Sequence, residues 1–311
     1  MPWRVALTAA LALSLPYNGD AIQDRALCFA FLRGGDVIVA CGGREDRITR
    51  QGNVESFAIS DERSGFGVVT SRITKRTPGA AYVASTATLV DLKSGGVTQA
   101  DGTGALVSTC GGLFWLMDAS RQRSDVRDLL SGDAVSTLPY SWFRCSSDRK
   151  VVAGMVKASG DDVYEGVPPR VEVAPAASAS RYVFNISPDG SKVAYTSDTH
   201  PLCVFSLGRT QCASDEAVDT SHDLVSVRNS GEVLVARETP EVCFYKNPTS
   251  FSTIRAPGTS PESCLGIGYW KPGVKSFEIV EPVGRAPQWI SPLTAGLLRD
   301  WAARGAVGPH R

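Results

Sequence analysis

A short apolar-x-apolar-Ser pattern recurs along this chain and predicts its architecture. The best preserved copies are Phe57–Ser60, Phe143–Ser146 and Phe184–Ser187, and each precedes a polar turn and a second β-prone run. Weaker copies begin at four further positions: Phe29, Ala105, Val225 and Leu265. The copies recur with a period of about forty residues, which together with short strands and tight turns is the sequence signature of a β-propeller.

The stretch from residue 181 to residue 213 shows one predicted blade most clearly. Tyr182–Ile186 is typical of an inner strand, Ser187–Gly190 is a turn with Pro at its second position, and Lys192–Thr196 alternates as a second strand. We therefore predict an all-β fold, a single β-propeller of four-stranded blades closed by pairing of N-terminal with C-terminal strands. The repeat copies favour seven blades. Six blades are the alternative, in which the hairpin at 28–41 completes the last blade.

The C-terminal residues predict a short helix. Ser291 followed by Pro292 is an N-cap and first-position signal, and Gly305 is a stop signal. Leu293, Leu297 and Trp301 lie four residues apart and are therefore expected on one helical face. We interpret the helix as packed on the side or base of the propeller, and the alternative is a docking helix for a partner.

The first 21 residues are typical of a secretory signal peptide. Arg4 supplies a positive charge, Val5–Leu15 is a mostly apolar run, and cleavage is expected after Ala21. The alternatives are an N-terminal stub and a misplaced start codon. We accordingly divide the chain into a signal peptide at 1–21, a propeller at 26–290 and a helical segment at 291–305.

Two pairs among the eight cysteines flank short hairpin turns. A two-residue turn at Gly34–Gly35 sets Cys28 opposite Cys41, and a second hairpin does the same for Cys203 and Cys212. Directly opposite positions on antiparallel strands are within disulfide range. We predict both disulfides, against the alternative of buried reduced cysteines. The other four cysteines allow two more bridges of open pairing: Cys110, Cys145, Cys243 and Cys264.

The balance of charge limits the classes of partner. Lys plus Arg and Asp plus Glu are 32 each, so the formal net charge is zero. A balanced chain has no overall electrostatic attraction to nucleic acid or to an anionic membrane. Outside the N-terminal segment, no run is long and apolar enough to cross a membrane. We expect neither a nucleic-acid partner nor a membrane span.

The segment Ser187–Thr196, with the sequence SPDGSKVAYT, resembles the TolB-like (PD40, WD40-like) propeller repeat. In that family a Ser-Pro-Asp-Gly turn links the first two strands of a blade. The resemblance implies a toroid of four-stranded blades that presents its loops and central channel to a partner or ligand. It also implies that Asp189 and Gly190 shape a turn and are not catalytic.

Motifs for catalysis and metal binding are largely missing from the sequence. No Gly-x-Ser-x-Gly nucleophile motif occurs, and the histidines lack the close spacing of a metal site. We therefore assign no catalytic, cofactor-binding or metal-binding residue. Asp161, Asp162 and Glu165 are expected in an exposed acidic loop, for which calcium binding is the weaker alternative. The three histidines are His200, His222 and His310.

These observations favour an exported, non-catalytic propeller that acts as a binding scaffold in the periplasm or outside the cell. We expect a monomer that binds a protein or a small ligand at a propeller face. The alternative is a lactonase-like or glycosidase-like propeller hydrolase that uses a metal ion or paired carboxylates at the central channel.

Overall fold

The structure is a computed structural model of the chain. It describes these residues: 27–77, 80–101, 107–110, 113–116, 124–127, 134–138, 143–147, 152–158, 161–167, 182–197, 200–213, 225–238, 244–246, 253–255, 265–274, 277–281 and 284–305. The signal-peptide prediction at 1–21 and the predictions for His222 and His310 lie outside them.

Short strands dominate the described part of the chain, which ends in one helix. In chain order the elements are β1 (Cys28–Arg33), β2 (Asp36–Cys41), β3 (Arg44–Arg47), β4 (Val54–Ser60), β5 (Gly65–Thr77), β6 (Ala80–Asp91), β7 (Val97–Asp101), β8 (Val107–Cys110), β9 (Leu113–Leu116), β10 (Ser124–Arg127), β11 (Ala134–Leu138), β12 (Phe143–Cys145), β13 (Val152–Ala158), β14 (Asp161–Val167), β15 (Tyr182–Ile186), β16 (Lys192–Ser197), β17 (His200–Ser206), β18 (Arg209–Cys212), β19 (Ser226–Val227), β20 (Val233–Glu238), β21 (Phe244–Lys246), β22 (Thr253–Arg255), β23 (Leu265–Trp270), β24 (Glu278–Glu281), β25 (Arg285–Trp289) and α1 (Pro292–Ala303).

The strands form antiparallel sheets of the kind that the repeat predicts. Within the described residues, sheet 1 has the order β25-β1-β2-β3, and sheet 2 has the order β4-β5-β6-β7. Sheet 3 contains β8 to β11, sheet 4 contains β12 to β14, and sheet 5 contains β15 to β18. Sheet 6 has the order β19-β20-β23-β24, and β21 pairs with β22 as a separate hairpin. This is the architecture of a β-propeller with a C-terminal helix, which confirms that part of the sequence prediction.

The innermost strands of the described sheets contact one another in series. Strand β4 contacts β8, β8 contacts β12, β12 contacts β15, and β15 contacts β19. The C-terminal strand β25 contacts both β19 and β4, and it pairs with β1 from the N-terminal end of the described chain. The turns that follow β4, β12, β15, β19 and β25 lie at the same face, where the hydrogen bonds described below join them.

Two weak repeat copies do not begin a new sheet, contrary to the prediction that each copy starts a blade. Leu265 begins β23, which pairs with β20 along its whole length and is the third strand of sheet 6. Phe29 lies in β1, which is the second strand of sheet 1, because β25 occupies the inner position. The hairpin of β21 and β22 separates β20 from β23 in sequence, so the repeat interval did not distinguish a long insertion from another blade.

The acidic segment at residues 161–167 was predicted as an exposed loop, and that prediction is wrong. The segment forms β14, which pairs with β13 in the register Ala158↔Asp161 and Gly154↔Glu165. Strand pairing with β13 outweighed the local preference of Asp for turns, since backbone hydrogen bonding to a neighbouring strand is a tertiary effect.

The two predicted cysteine pairs are joined as disulfides in the structure. Strands β1 and β2 place Cys28 opposite Cys41, and β17 and β18 place Cys203 opposite Cys212. Cys145 is also disulfide-bonded. At the tip of the first hairpin, a side chain at Gly35 would collide with the carbonyl group of Gly52, so this turn approaches the chain that leads into sheet 2.

The apolar residues pack between neighbouring sheets. One cluster joins sheet 6 to sheet 1 and contains Phe31, Ile267 and Tyr269. A second joins sheet 5 to sheet 6 and includes Val204 and Trp270. The third and largest cluster lies between sheets 1 and 2 and includes the helix. Residues of β1 alternate between two of these clusters. Its even-numbered residues face sheet 2, whereas Phe29 and Phe31 face sheet 6.

Helix α1 packs between sheets 1 and 2, in agreement with the predicted helix on the side of the propeller. Ser291 is the N-cap, and its side chain accepts a hydrogen bond from the backbone N–H of Thr294. The fully buried Trp301 ring meets Phe66 edge to face, with 5.4 Å between ring centroids. The Arg299 Nε donates to Asp46 on β3.

The predicted helical face is confirmed at Trp301, and Leu297 is partly buried against the same cluster, but the prediction is wrong at Leu293. Leu293 is 70% exposed, whereas Thr294, Leu298 and Trp301 are buried. The spacing of 294, 298 and 301 follows one face of a helix with 3.6 residues per turn, and Leu293 is about 100° away from it. The spacing of four residues from 293 to 301 drifts around the helix, which leaves Leu293 outside the buried stripe.

Candidate functional site

A cavity at the centre of the sheets is the first candidate site. Its volume is about 140 Å³. The innermost strand of each described sheet contributes to its lining, which is listed here by strand: Phe57, Ala58 and Ile59 from β4, Thr109 from β8, Arg144 and Cys145 from β12, Asn185 and Ile186 from β15, Ser226 and Val227 from β19, and Pro287, Gln288 and Trp289 from β25. The repeat supplies part of this lining, because Ala58, Arg144 and Asn185 all occupy the x position of the apolar-x-apolar-Ser pattern.

Polar side chains in this cavity bind neighbouring strands. The Asn185 Nδ2 donates to the carbonyl oxygen of Val225 over 2.9 Å, which links sheet 5 to sheet 6. The Gln288 side chain pairs with the backbone of Ile59: its Oε1 accepts from the N–H over 3.0 Å and its Nε2 donates to the carbonyl over 2.6 Å. An amide side chain can supply one acceptor and a donor group, so Gln288 extends the backbone pairing between sheets 1 and 2.

Ser226 makes the corresponding link from sheet 6 to sheet 1. Its Oγ accepts a hydrogen bond from the backbone N–H of Trp289 over 3.1 Å. The guanidinium of Arg228 lies over the ring of the same tryptophan, 3.8 Å from its centroid. Such a cation–π contact stabilises the position of both side chains.

The turns that follow the innermost strands form the mouth of the cavity. Asp61 accepts hydrogen bonds from the backbone N–H and the hydroxyl of Ser291, at 3.0 and 3.1 Å. Glu62 accepts from the hydroxyl of Ser60 over 3.1 Å and also from the hydroxyl of Ser147. The Ser147 link runs from sheet 2 to sheet 4.

Two further hydrogen bonds continue this ring of turns. The backbone N–H of Ser147 donates to the carbonyl of Pro188 over 2.7 Å. The backbone N–H of Asp189 donates to the Oδ1 of Asn229 over 3.0 Å. The mouth is therefore tied from sheet to sheet, and the two acidic side chains that line it already accept hydrogen bonds from serines.

The Ser-Pro-Asp-Gly turn has the structural role that the resemblance implied. The buried Ser187 hydroxyl donates to Asp189 over 2.6 Å and accepts from the backbone N–H of Lys192 over 3.0 Å. Ser191 donates to the same carboxylate through its N–H and its hydroxyl. Desolvation acts to raise the pKa of Asp189, but these hydrogen bonds outweigh it and hold that pKa below its ordinary value.

A second carboxylate beside the mouth behaves in the same way. The Tyr269 hydroxyl donates to Glu232 over 2.6 Å, and the Ser230 hydroxyl donates over 3.0 Å. Burial acts to raise the pKa of Glu232, whereas these hydrogen bonds and the charges of Arg228 and Lys271 lower it below its ordinary value. Glu232 is thus held as a charged partner for its neighbours, which is the opposite of a carboxyl group prepared to donate a proton.

The face that carries the mouth differs from the opposite face. We call it the channel-mouth face, and it carries the turns at 61–64, 92–96, 187–191, 207–208, 228–232 and 271–274 and the start of α1. The opposite face carries the turn at 34–35 and the connection at 48–53. Among the described residues, the exposed large hydrophobic side chains all lie on or directly beside the channel-mouth turns: Val97, Leu207, Val274 and Leu293.

Sequence reasoning found the cysteines but missed most of this site. The x positions of the repeat, which face the cavity, and Gln288 carried no recognised motif. An available signal was that polar residues occupy the x position between two apolar residues in Phe143–Ser146 and Phe184–Ser187. A further signal was a leucine at Leu207, in a turn position that usually carries Asn, Asp or Gly.

The described residues hold no group of three or more His, Cys, Asp or Glu side chains that could hold a metal ion. They also contain no helix that is long and apolar enough to span a membrane. His200 is the first residue of β17.

Comparisons with known proteins find similarity in fold only. No family model matches the chain, and no curated protein matches it. A chain of the nidogen/laminin complex is similar with a TM-score of 0.53 and 9% identity, over 84% of this chain and 97% of that chain. The acylaminoacyl peptidase of Pyrococcus horikoshii has a TM-score of 0.46 and 10% identity, over 78% of this chain and 42% of that chain. A β-propeller domain from Myceliophteria thermophila has a TM-score of 0.40 and 11% identity, over 75% and 87%.

Proposed function

We propose that this chain is an exported, six-bladed β-propeller that acts as a non-catalytic binding scaffold, and that it binds its partner with the channel-mouth face. The observation that carries the proposal is the placement of the exposed hydrophobic side chains on that face. Among the described residues these side chains lie on or beside turns of several sheets but share one face, and this asymmetry is the reason to assign binding to that face and not to the opposite one.

The blade number is part of the proposal. Six innermost strands succeed one another around the cavity, and β25 contacts the strands on both sides of it. Because β25 and β1 pair in sheet 1, this blade would combine the two ends of the propeller, and the hairpin at 28–41 would complete it. Closure of this kind leaves only short outer edges exposed and makes the toroid rigid.

The hydrogen bonds made by the polar groups of the channel support the scaffold role. Asn185, Gln288 and Ser226 bind the backbones of neighbouring strands, and Asp61 and Glu62 accept hydrogen bonds from serines. Catalysis by paired carboxylates needs groups that are free to move a proton or to attack. Here the groups instead join the blades, which favours a rigid support over the lactonase-like or glycosidase-like alternative.

Export is the third part of the proposal. Disulfides persist in oxidising compartments, and the pairs Cys28–Cys41 and Cys203–Cys212 suit such an environment. The secretory signal expected at 1–21 has the same implication. Mass mapping of unreduced peptides from the exported protein should link both pairs, and free thiols at all four cysteines would contradict this part.

The experiment that tests the binding face uses photo-crosslinking in the exported, full-length protein. The crosslinker p-benzoylphenylalanine replaces Val97 on the channel-mouth face and, as the matched control, the exposed Arg50 on the opposite face. We expect an adduct of defined mass at position 97 and none at position 50. Adducts at position 50 alone, or at neither position, would contradict the proposal.

Elemental analysis of the same purified protein separates the two function classes. A stoichiometric metal ion together with hydrolysis of lactones or glycosides would favour the hydrolase. A metal-free protein that retains the adduct at position 97 supports the scaffold.

A further inference from the structure

An open groove lies between sheets 5 and 6, next to the channel-mouth face and away from the central cavity. Its volume is about 430 Å³, which is within the usual range for ligand-binding pockets. Sheet 5 contributes one wall through alternating residues of β16, β17 and β18, and two turns of sheet 6 contribute the other. The lining residues are Lys192, Val204, Ser206, Leu207, Arg209, Gln211, Ser230 and Pro272.

Leu207 lies at the rim of this groove and combines high exposure with a positive φ. Its side chain is 92% exposed, the highest value among the exposed large hydrophobic residues of the described chain. Its φ is +50°, and Gly208 follows with a φ of +74°. A two-residue hairpin turn of this kind requires a positive φ at its first position. Asn, Asp and Gly tolerate this left-handed conformation, whereas it strains the backbone at most other residues. A leucine here is therefore unfavourable both for the backbone and for solvation.

The lower part of the groove is apolar and well supported. Val204 is buried in the cluster between sheets 5 and 6. A Cβ at Gly231 would lie 3.2 Å from the Pro272 ring and 3.3 Å from the Lys192 stem, so these two side chains close over the turn. The turn that holds Pro272 is fixed by the Trp270 indole, which donates to the carbonyl of Val274 over 2.9 Å.

The charges that line the groove are positive. Lys192 and Arg209 belong to the lining, and none of the described lining residues is acidic. The exposed Lys271 precedes Pro272 in the same turn. Two acidic side chains of neighbouring described turns, Asp189 and Glu232, accept hydrogen bonds from serine and tyrosine hydroxyls. An acidic ligand would therefore meet two cations at the walls and an apolar surface between them.

We propose that the groove between sheets 5 and 6 binds an acidic peptide segment of a partner protein, with an apolar side chain of that segment packed against Leu207. This inference rests on the proposed scaffold function and names the chemistry of its partner. A peptide fits better than a polysaccharide or a nucleic acid, because those polyanions would use the cations but would gain little from Leu207, Val204 and Pro272.

The test is selection of binders from a random dodecapeptide phage library on the full-length, disulfide-bonded protein. We expect enriched peptides with a net negative charge and at least one Leu, Ile or Phe. Leu207→Asn keeps a residue that suits a positive φ and removes the apolar contact. Since burial of a leucine is worth about 1.5–3 kcal/mol, we expect the enriched peptides to bind this variant about tenfold or more weakly.

Two matched variants make the result specific. Lys192→Glu combined with Arg209→Glu should abolish enrichment of acidic peptides, and Arg50→Asn on the opposite face should leave their affinity unchanged. Circular dichroism and the thermal midpoint of each variant establish that it is folded. Enriched peptides that are neutral or basic, equal binding to Leu207→Asn, or no enrichment at all would overturn the proposal.

A crosslinker at position 207 identifies other occupants. Photo-crosslinking of the full-length protein with p-benzoylphenylalanine in place of Leu207 should give an intermolecular adduct with a peptide from a partner protein. A crosslink to residues 214–224 of the same chain, which include Asp215, Glu216 and Asp219, or displacement of the peptides only by heparin or an oligonucleotide, would overturn it. In each of these cases an adduct at position 97 would leave the scaffold function standing.

Discussion

The gap between sheets 1 and 2 and the gap between sheets 5 and 6 are built alike at the centre and differ at the periphery. Both contain an apolar cluster formed by the facing sides of two antiparallel sheets. In the first gap, α1 adds Ala295, Leu298 and Trp301 to that cluster. In the second gap, the described residues leave a groove of about 430 Å³ with Leu207 exposed at its rim.

The difference shows that a propeller can occupy one of its peripheral spaces with its own chain while another stays open. Neighbouring sheets diverge toward the outside of a toroid, so the space between their outer strands grows. The chain fills this space at sheets 1 and 2 with a helix that is capped by Ser291 and held by Asp61 and Arg299. At sheets 5 and 6, we propose that the corresponding space is filled by a partner.

The largest effect on stability is expected from removing a buried side chain of α1 from the gap between sheets 1 and 2. Trp301→Ala removes a fully buried indole that packs on Phe66. Truncation of a buried aromatic residue costs about 3–5 kcal/mol, so we expect a loss of that size in the free energy of unfolding. Urea denaturation followed by circular dichroism measures it. The control is Leu293→Ala on the exposed side of the same helix, which should change stability by less than about 0.5 kcal/mol. Equal effects of the two variants would contradict the packing of α1 in the gap.

An intermediate effect is expected from the buried carboxylate beside the filled gap. Asp36 is fully buried and accepts hydrogen bonds from Arg47, Thr49 and the backbone N–H of Gly52, which hold the chain that connects sheet 1 to sheet 2. Desolvation acts to raise its pKa, but these hydrogen bonds lower it below the ordinary value. Hydrogen bonds to a charged group are worth about 1.5–3 kcal/mol, so Asp36→Asn should destabilise the protein at neutral pH by about that amount.

The lowered pKa of Asp36 predicts that the stability of the protein depends on pH. A group with a lowered pKa in the folded state contributes stability above the pKa of the unfolded chain, and this contribution is lost as the pH falls through the folded pKa. We therefore expect the free energy of unfolding to fall below about pH 4, and to fall less steeply in Asp36→Asn. The matched variant is Asp189→Asn beside the open gap, where the carboxylate is exposed and the change in slope should be smaller. A slope in Asp36→Asn that equals the wild-type slope would contradict the role of Asp36.

The smallest effect on stability is expected at the rim of the open gap. Leu207→Asn removes an exposed leucine from a turn with positive φ, and residues held in such conformations cost roughly 1–3 kcal/mol. We expect stability to stay equal or to rise by about 1 kcal/mol or less, since Asn tolerates this conformation better. Differential scanning calorimetry measures the change. A clear loss of stability would show that Leu207 packs within the protein and would remove the reason to propose it as a binding residue.

Local features of the sequence predicted local features of the structure well. The turn at Gly34–Gly35 and the alternation around it predicted the register that places Cys28 opposite Cys41, because a two-residue turn leaves little freedom for pairing. The Ser-Pro-Asp-Gly segment predicted the turn between β15 and β16. The sequence pattern also predicted a C-terminal helix with Ser291 at its start.

Features that depend on distant residues were not predictable from the pattern. Leu265 has the local appearance of a repeat start, but β23 pairs with β20 across an inserted hairpin. Leu293 has a helical spacing to Trp301 that suits burial, but Leu293 is exposed, whereas Thr294 and Leu298 are buried. The cavity-facing role of Gln288 depends on its contact with Ile59, 229 residues away in the chain.

The sequence by itself determined where most of the strands and tight turns lie and which cysteines can pair, because these properties depend on alternation and turn chemistry within a few residues. The tertiary structure alone decided which strands share a sheet, which polar side chains meet at the channel and which gap the helix fills. Those outcomes depend on contacts between residues that are far apart in the chain, and backbone propensity carries no information about them.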